Sequence, residues 1–324
     1  MQGLFLGIDT SNYKTSAAVT DSSGSVLYQR TEYLEVPHGS RGLRQSECFF
    51  RHSLRLPEYI DELCKEVSAS DICSVGVSSR PRRIEGSYMP CFLAGLNAAK
   101  EIASVLGVPL YEFSHQEGHA AAVLDGTADR SILMHLSGGT TEILLCSPDD
   151  RGYDLQIIGG TRDISVGQLI DRAGVAMGFD FPSGMYLDEL AGSYMPGNSK
   201  PELPRIRIQD GYFNLSGTET QVMKWIDSAD PSDYSRIAYS LFFRIAELLA
   251  SASSQAAELH SVDKVFMAGG VSASTFIREM IERQDNLSSQ AVFGDPVLSG
   301  DNAVGISMLT QRIFNESSNC NSGK

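Results

Sequence analysis

The chain has 324 residues, 42% of them hydrophobic and 20% charged, which is enough apolar mass for sizeable cores and argues against a disordered chain. The length suggests two globular units, and no apolar run reaches the roughly 18 residues of a membrane span. A formal charge of −14 repels nucleic acid at long range, so a polyanionic partner would need a local basic segment.

Leu4 to Ile8 is an apolar run without a basic flank, and it reads as a first strand rather than a leader. A polar turn from Asp9 to Ser16, the run Ala17–Val19, a turn at Asp21–Ser25 and the run Val26–Tyr28 predict a three-stranded meander with a hydroxyl-rich first hairpin. Residues 46–68 read as a helix with a break near Pro57, Ile72–Val77 as a strand, Pro90–Leu106 as a helix stopped by Gly107, and Val108–Phe113 as a strand. The pattern then repeats. Ile132–Leu136, a turn at Ser137–Glu142, Ile143–Leu145, a turn at Pro148–Gly152 and Tyr153–Ile158 form a second meander, with Ser137 lying 128 positions after Asp9. Helices over 164–178 and 236–260, a strand Val265–Ala268, a helix from about 274 and a last helix opening near Asn302 follow. The tail from Glu316 is expected to fray. The chain is thus an internally duplicated α/β protein whose two lobes close on one cleft.

Residues 30–100 hold ten basic side chains against nine acidic ones. They are the better place for an RNA or polyphosphate, or else simply solvated surface. Six cysteines without C-x-x-C spacing fit reduced, mostly buried thiols of a cytoplasmic protein.

Two glycine- and hydroxyl-rich hairpins, one per lobe, suggest a phosphate clamp. Asp9 and Lys14 belong to the first and are the expected catalytic pair. Asp9 can hold a cation at a strand end, and Lys14 can bind a phosphate or, equally, face solvent. Ser137, Gly138, Gly139 and Thr140 form the second hairpin, and Gly269-Gly270 follows a later strand. His115 and His119 stand at i and i+4, one face of a helix, where two imidazoles can chelate one metal. Asp301 is the candidate third ligand, although a plain helix cap would also explain it. Two histidines and a carboxylate with open positions suit iron(II) or zinc. His135, inside an apolar strand, reads as a satisfied core or supporting residue, while His38, His52 and His260 have no evident partner.

In this order the motifs resemble the family of tRNA N6-adenosine threonylcarbamoyltransferases, once labelled O-sialoglycoprotein endopeptidases. The resemblance runs from Gly7-Ile8-Asp9-Thr10-Ser11 through Ser114–His119, Leu136–Gly139, Val166–Asp171, Pro182-Ser183-Gly184, Leu187–Ala191 and Phe213–Gly217. It continues through Met267–Val271 to Gly300-Asp301-Asn302. It implies a duplicated actin-like ATPase fold, related to ribonuclease H, with two lobes around a nucleotide cleft. One lobe would comprise residues 1–110 with about 303–324, the other 111–302 with the metal helix. It further implies one divalent metal, iron or zinc, on His115, His119 and Asp301. ATP, AMP or an acyl adenylate, with magnesium as a companion ion, would lie against Ser137, Gly138, Gly139, Thr140, Asp171, Gly184, Asp188, Gly269, Gly270 and Ser274. The implied reaction moves a threonylcarbamoyl group from its AMP adduct to adenosine N6 of tRNA, docked through the arginine-bearing segment, with a protein partner or a second copy to help.

Departures point to a divergent paralogue. Where the family reads Ser-Cys-Asp-Glu-Thr, this chain has Ser11-Asn12-Tyr13-Lys14-Thr15. Thr140 replaces a histidine, Ser274 an asparagine and Glu219 a lysine, and the glycine-rich loop after the third strand becomes Arg80–Tyr88. A catalytically inactive, nucleotide-sensing or scaffolding subunit is therefore the alternative to a working transferase. A peptidase reading lacks an H-E-x-x-H arrangement.

Overall fold

A computed structural model describes residues 3–11, 13–36, 43–124, 129–150, 152–197, 201–283, 291–294 and 302–322, without the side chains of 302 and 318–322. The first sheet contains β1 (Leu4–Ser11), β2 (Lys14–Asp21), β3 (Val26–Tyr33), β4 (Ile72–Arg80) and β5 (Leu110–Ser114), in the order β3-β2-β1-β4-β5. The second contains β6 (Ser131–Leu136), β7 (Thr141–Asp149), β8 (Gly152–Thr161), β9 (Tyr212–Phe213), β10 (Val265–Ala268) and β11 (Ala291–Phe293), in the order β11-β10-β6-β7-β8-β9. Apart from β9, the second sheet repeats the first. In each, three consecutive strands pair antiparallel and two later ones add in parallel beside the opening strand. This is the duplication that the two meanders predict.

Helices α1 (Gln45–Glu66) and α2 (Phe92–Leu106) cover one face of the first sheet, with Leu56, Tyr59, Leu63, Ala99 and Ala103 buried against Leu6, Ile8, Val75 and Val77. Helices α4 (Val166–Ala176), α5 (Gly184–Ser193), α6 (Ser216–Ser228), α7 (Tyr234–His260) and α8 (Thr275–Glu282) build the larger core behind the second sheet. Between the sheets lie α3 (His115–Leu124) and α9 (Asn302–Ser322). Ser307 Oγ ties α9 to the first sheet by donating to the Phe5 carbonyl at 2.6 Å and accepting from Thr20 N–H at 3.1 Å. Ala120, Leu124, Ile306 and Leu309 pack together against Leu133, Leu144 and Ala268 of the second sheet. The helices cross so closely that a Cβ at Gly305 would run into the Gly118 carbonyl oxygen. This double layer places the expected metal helix at the junction of the two halves.

Several boundaries differ from the sequence expectation. Helix α1 runs unbroken through Pro57, because an exposed proline removes one backbone bond that solvent can replace. Helix α2 begins at Phe92 rather than Pro90 and ends at Gly107 in a left-handed conformation, φ 67°. The last helix continues past Glu316 to Ser322. Strand β5 hydrogen-bonds to β4 out to Ser114, so the first sheet extends beyond residue 110. Of the described cysteines, Cys48, Cys91 and Cys146 are buried as expected, whereas Cys64 is exposed.

Candidate functional site

Helix α3 begins immediately after β5, and its first turn explains why. Ser114 N–H and Oγ–H both donate to Glu117 Oε2, at 2.8 and 2.7 Å, while Glu117 N–H returns to Ser114 Oγ at 3.2 Å. This reciprocal cap starts the helix at His115, and helical geometry sets His119 one turn on, with ring centroids 4.6 Å apart.

Asp9 anchors the first imidazole. Its carboxylate is 1% exposed. Oδ1 accepts from Ser11 N–H at 2.9 Å, and Oδ2 accepts from the Ser78 hydroxyl and from His115 Nδ1 at 2.9 Å. A carboxylate only accepts, so His115 Nδ1 carries a proton and donates it to Asp9. Asp9 thus supports a histidine, an arrangement that raises the basicity of metal-binding imidazoles. His52, also buried, is held through Nδ1 by the Thr15 hydroxyl at 2.8 Å, a partner the sequence did not suggest.

A third imidazole joins the pair. His135, at the end of β6, has its ring centroid 4.6 Å from that of His119 and 6.4 Å from that of His115. It is not the satisfied core residue that the sequence suggests: Nδ1 and Nε2 are both buried without a hydrogen-bond partner, as is His119 Nδ1. An orphaned buried polar atom costs roughly 1–3 kcal/mol. Burial, with the neighbouring imidazoles, holds His119 well below its ordinary pKa, and burial takes His135 down to about 3. Both rings are therefore neutral, the state that binds metal.

His115 and His135 open onto a cavity of about 470 Å³, shared with Arg82, Gln116, Thr140 and Glu142. Cross-strand pairing puts Glu142 opposite His135. Its carboxylate is nearly buried, with Oε1 ion-paired to Arg82 and Oε2 accepting from Gln116 Nε2 at 2.6 Å. Burial raises its pKa against the lowering effect of Arg82 and Gln116. Arg83 reaches the other end of β7, to Asp149 at 2.9 Å, and Glu117 of α3 at 3.4 Å. Two arginines of the expected RNA-docking segment are therefore directed into the junction. Arg30, Arg51 and Arg55 in that segment are also ion-paired, to Glu62, Glu47 and Glu32.

Lys14 is half-buried, with Nζ 4.5 Å from the Tyr33 ring centroid, and its charge contributes to lowering the His119 pKa. In the second hairpin, Ser137 N–H donates to the Thr140 carbonyl at 2.9 Å and Thr140 N–H to Ser137 Oγ at 3.0 Å. The start of α4 lies against this hairpin: Ser165 Oγ donates to the Gly138 carbonyl at 2.8 Å, and a Cβ on Gly167 would stand 2.6 Å from Gly138 Cα. Gly269, at φ 99°, approaches from β10, where a Cβ would meet the Leu136 carbonyl oxygen at 2.5 Å. Gly270 follows as the first residue of a short 3-10 turn. The outer faces of Gly138 and Gly139 are open.

Asp171 accepts from the backbone N–H groups of Ser183, at 2.8 Å, and Gly184, which pins the turn into α5. Asp188 accepts from the Ser274 hydroxyl and from Thr275 and Phe276 N–H at 3.0 and 3.2 Å. Ser274 Oγ in turn accepts from Ile277 N–H at 3.1 Å, so these two residues cap α8 together. Glu219 pairs with Arg172 at 2.9 Å. Asp301, the expected third ligand, and His38 lie outside the described residues.

The donor set suits a metal: one oriented imidazole and two buried rings with unpaired nitrogens. Among the described residues no group of three metal-ligating side chains is already converged on a point. No helix among them is long and apolar enough to cross a membrane.

The sequence model of the tRNA N6-adenosine threonylcarbamoyltransferase family matches residues 40–308. The protein of that name from Listeria innocua is 28% identical, over 99% of this chain and 96% of its own. The one from Streptococcus suis is 29% identical, over 97% and 93%. Among solved structures, HypF of T. kodakarensis superposes with a TM-score of 0.64 at 16% identity, over 98% of this chain and 48% of that one. The ADPNP-bound activator of 2-hydroxyisocaproyl-CoA dehydratase from Clostridium difficile gives 0.55 at 13%, over 98% and 97%. A ROK family glucokinase from Streptomyces griseus, in complex with glucose and AMPPNP, gives 0.53 at 14%, over 96% and 100%. At such identities the structural likeness carries the fold alone, the two-lobed actin-like ATPase fold. With the family model spanning most of its length, the chain belongs to the tRNA N6-adenosine threonylcarbamoyltransferase family, as a divergent member.

Proposed function

We propose that the protein is a metal- and nucleotide-dependent transferase of the threonylcarbamoyl type, acting in the cytoplasm on the N6 amine of an adenosine in tRNA. The observation that carries this reading is His115, oriented by Asp9 at the mouth of a cavity whose rim includes Thr140 of the second hairpin. A divalent metal, iron or zinc, on His115, His119 and Asp301 would supply a Lewis acid for the carbamoyl carbonyl. Backbone N–H groups of the Ser137–Thr140 hairpin, together with Gly269 and Gly270, would receive the departing phosphate, with Lys14 and a magnesium ion as further countercharge. Asp171, Gly184, Asp188 and Ser274 would shape the nucleotide side through the turns they hold. In this reading the lobes divide near residue 110, with α9 returning to the first, and Arg82 meets the donor at the cavity rim. A helper subunit or second copy would offset the acidic body when tRNA docks.

The test is single-turnover transfer from threonylcarbamoyl-AMP to a tRNA transcript, read as AMP release and as modified nucleoside by mass spectrometry. Transfer by the wild-type chain, lost in His119→Ala, supports the reading. One observation favours a nucleotide-sensing or scaffolding subunit instead: Tyr13 of the altered hairpin packs edge-on against Phe181 of the opposite half, 5.6 Å between centroids. Saturable nucleotide binding without transfer to any tRNA would select that alternative. Neither binding nor transfer would remove both.

A further inference from the structure

We propose that His135 is a third imidazole ligand of the metal held by His115 and His119. The inference rests on the metal reading of that pair and is independent of the transfer reaction.

His135 is 3% exposed, on a strand otherwise occupied by apolar residues and a serine, yet neither ring nitrogen has a hydrogen-bond partner. Its cross-strand neighbour Glu142 is engaged by Arg82 and Gln116, and its parallel-strand neighbour Ala268 offers no polar side chain. A histidine supporting a ligand from behind would hydrogen-bond that ligand, as Asp9 does His115, and His135 has no such bond. What it does have is proximity to the other two rings, His119 at 4.6 Å and His115 at 6.4 Å between centroids, and an opening onto the same cavity as His115. Three imidazoles beside a cavity form a site with room for a further ligand, the arrangement of zinc and iron(II) centres that keep an open position. The rings are not yet converged, so binding would draw them together.

The experiment uses the full chain with zinc(II) and cobalt(II) as probes. X-ray absorption of the zinc-loaded wild type counts imidazoles. Cobalt(II) titration with competing chelator gives affinity and the ligand-field spectrum for wild type, His135→Leu, His135→Gln and His119→Ala, each checked for folding by circular dichroism. The expected result is three imidazoles in the wild type, an affinity at least tenfold weaker in both His135 variants, and an altered cobalt spectrum. Two imidazoles, with unchanged affinity and spectrum in a folded His135 variant, would overturn the proposal and leave the His115–His119 pair standing. A wild-type chain that takes up no metal would overturn both. Should neither His135 variant fold, the imidazole count of the wild type decides.

Discussion

His115 Nδ1 lies 2.9 Å from Asp9 Oδ2, across 106 positions of chain, and this bond joins the opening strand to the first turn of α3. It sets which imidazole nitrogen carries the proton. Asp9→Asn keeps the shape but can present an amide donor and no longer imposes that tautomer. Metal affinity is expected to fall about 10–100-fold, the usual cost of losing such a support, as measured by competitive titration. An unchanged affinity would detach Asp9 from the metal site.

The Arg82–Glu142 pair closes one wall of the cavity. Arg82→Ala leaves Glu142 with Gln116 alone at 10% exposure. Because Arg82 is itself 38% exposed, the expected loss is about 1–2 kcal/mol rather than the larger penalty of a fully buried pair. Adding Glu142→Gln should restore most of it, since a neutral amide tolerates the vacated wall. Denaturant unfolding of the single and double variants checks this. Equal stability of Arg82→Ala and wild type would mean that the pair is bound loosely.

Asp171 makes stability depend on pH. Its folded pKa is raised from 3.8 to about 6 by burial, which outweighs the two N–H donors that favour the charged form. Between those values the folded state holds a proton that the unfolded state has released. Stability therefore falls as pH rises through the window and does not recover above it. Asp171→Asn removes this contribution, so its stability relative to wild type should rise by roughly 3 kcal/mol between about pH 4 and about pH 7. Parallel profiles for the two proteins would show that Asp171 ionises freely.

Gly305 is where α9 touches α3. A methyl group there meets the Gly118 carbonyl oxygen, a backbone atom that cannot swing away. Gly305→Ala is expected to destabilise by about 3 kcal/mol, at the upper end of overpacking costs. It should also weaken metal binding, because Gly118 lies between His115 and His119. Thermal unfolding and metal titration on the same sample test both effects. Unchanged values would show that the helices can separate without consequence.

Much of the fold was legible because its signals are local. Apolar runs broken by small polar turns recur twice, and each run became a strand. The His115/His119 spacing works within one helix turn and survived intact. The misses are short or glycine-bearing elements: β9 has two residues and β11 three, α5 carries Gly184 and Gly192, and the 13-residue α6 carries Gly217 in its first turn. Arg82 and Arg83 showed as charge but not as direction. They turn inward because Glu142, Glu117 and Asp149 stand there, and no run of sequence places those carboxylates beside them.

The sequence by itself determined the duplicated α/β plan, the one-turn spacing of His115 and His119 and the two small-residue hairpins, since periodicity and turn chemistry operate over a few neighbouring residues. Only the tertiary structure decided that Asp9 supports His115, that Asp188 and Ser274 cap a helix, and that His135 sits unpaired beside His119. Those relationships depend on strand register and on how closely α3 and α9 pack. A side chain's partner in a folded protein is set by such distances, not by its distance along the chain.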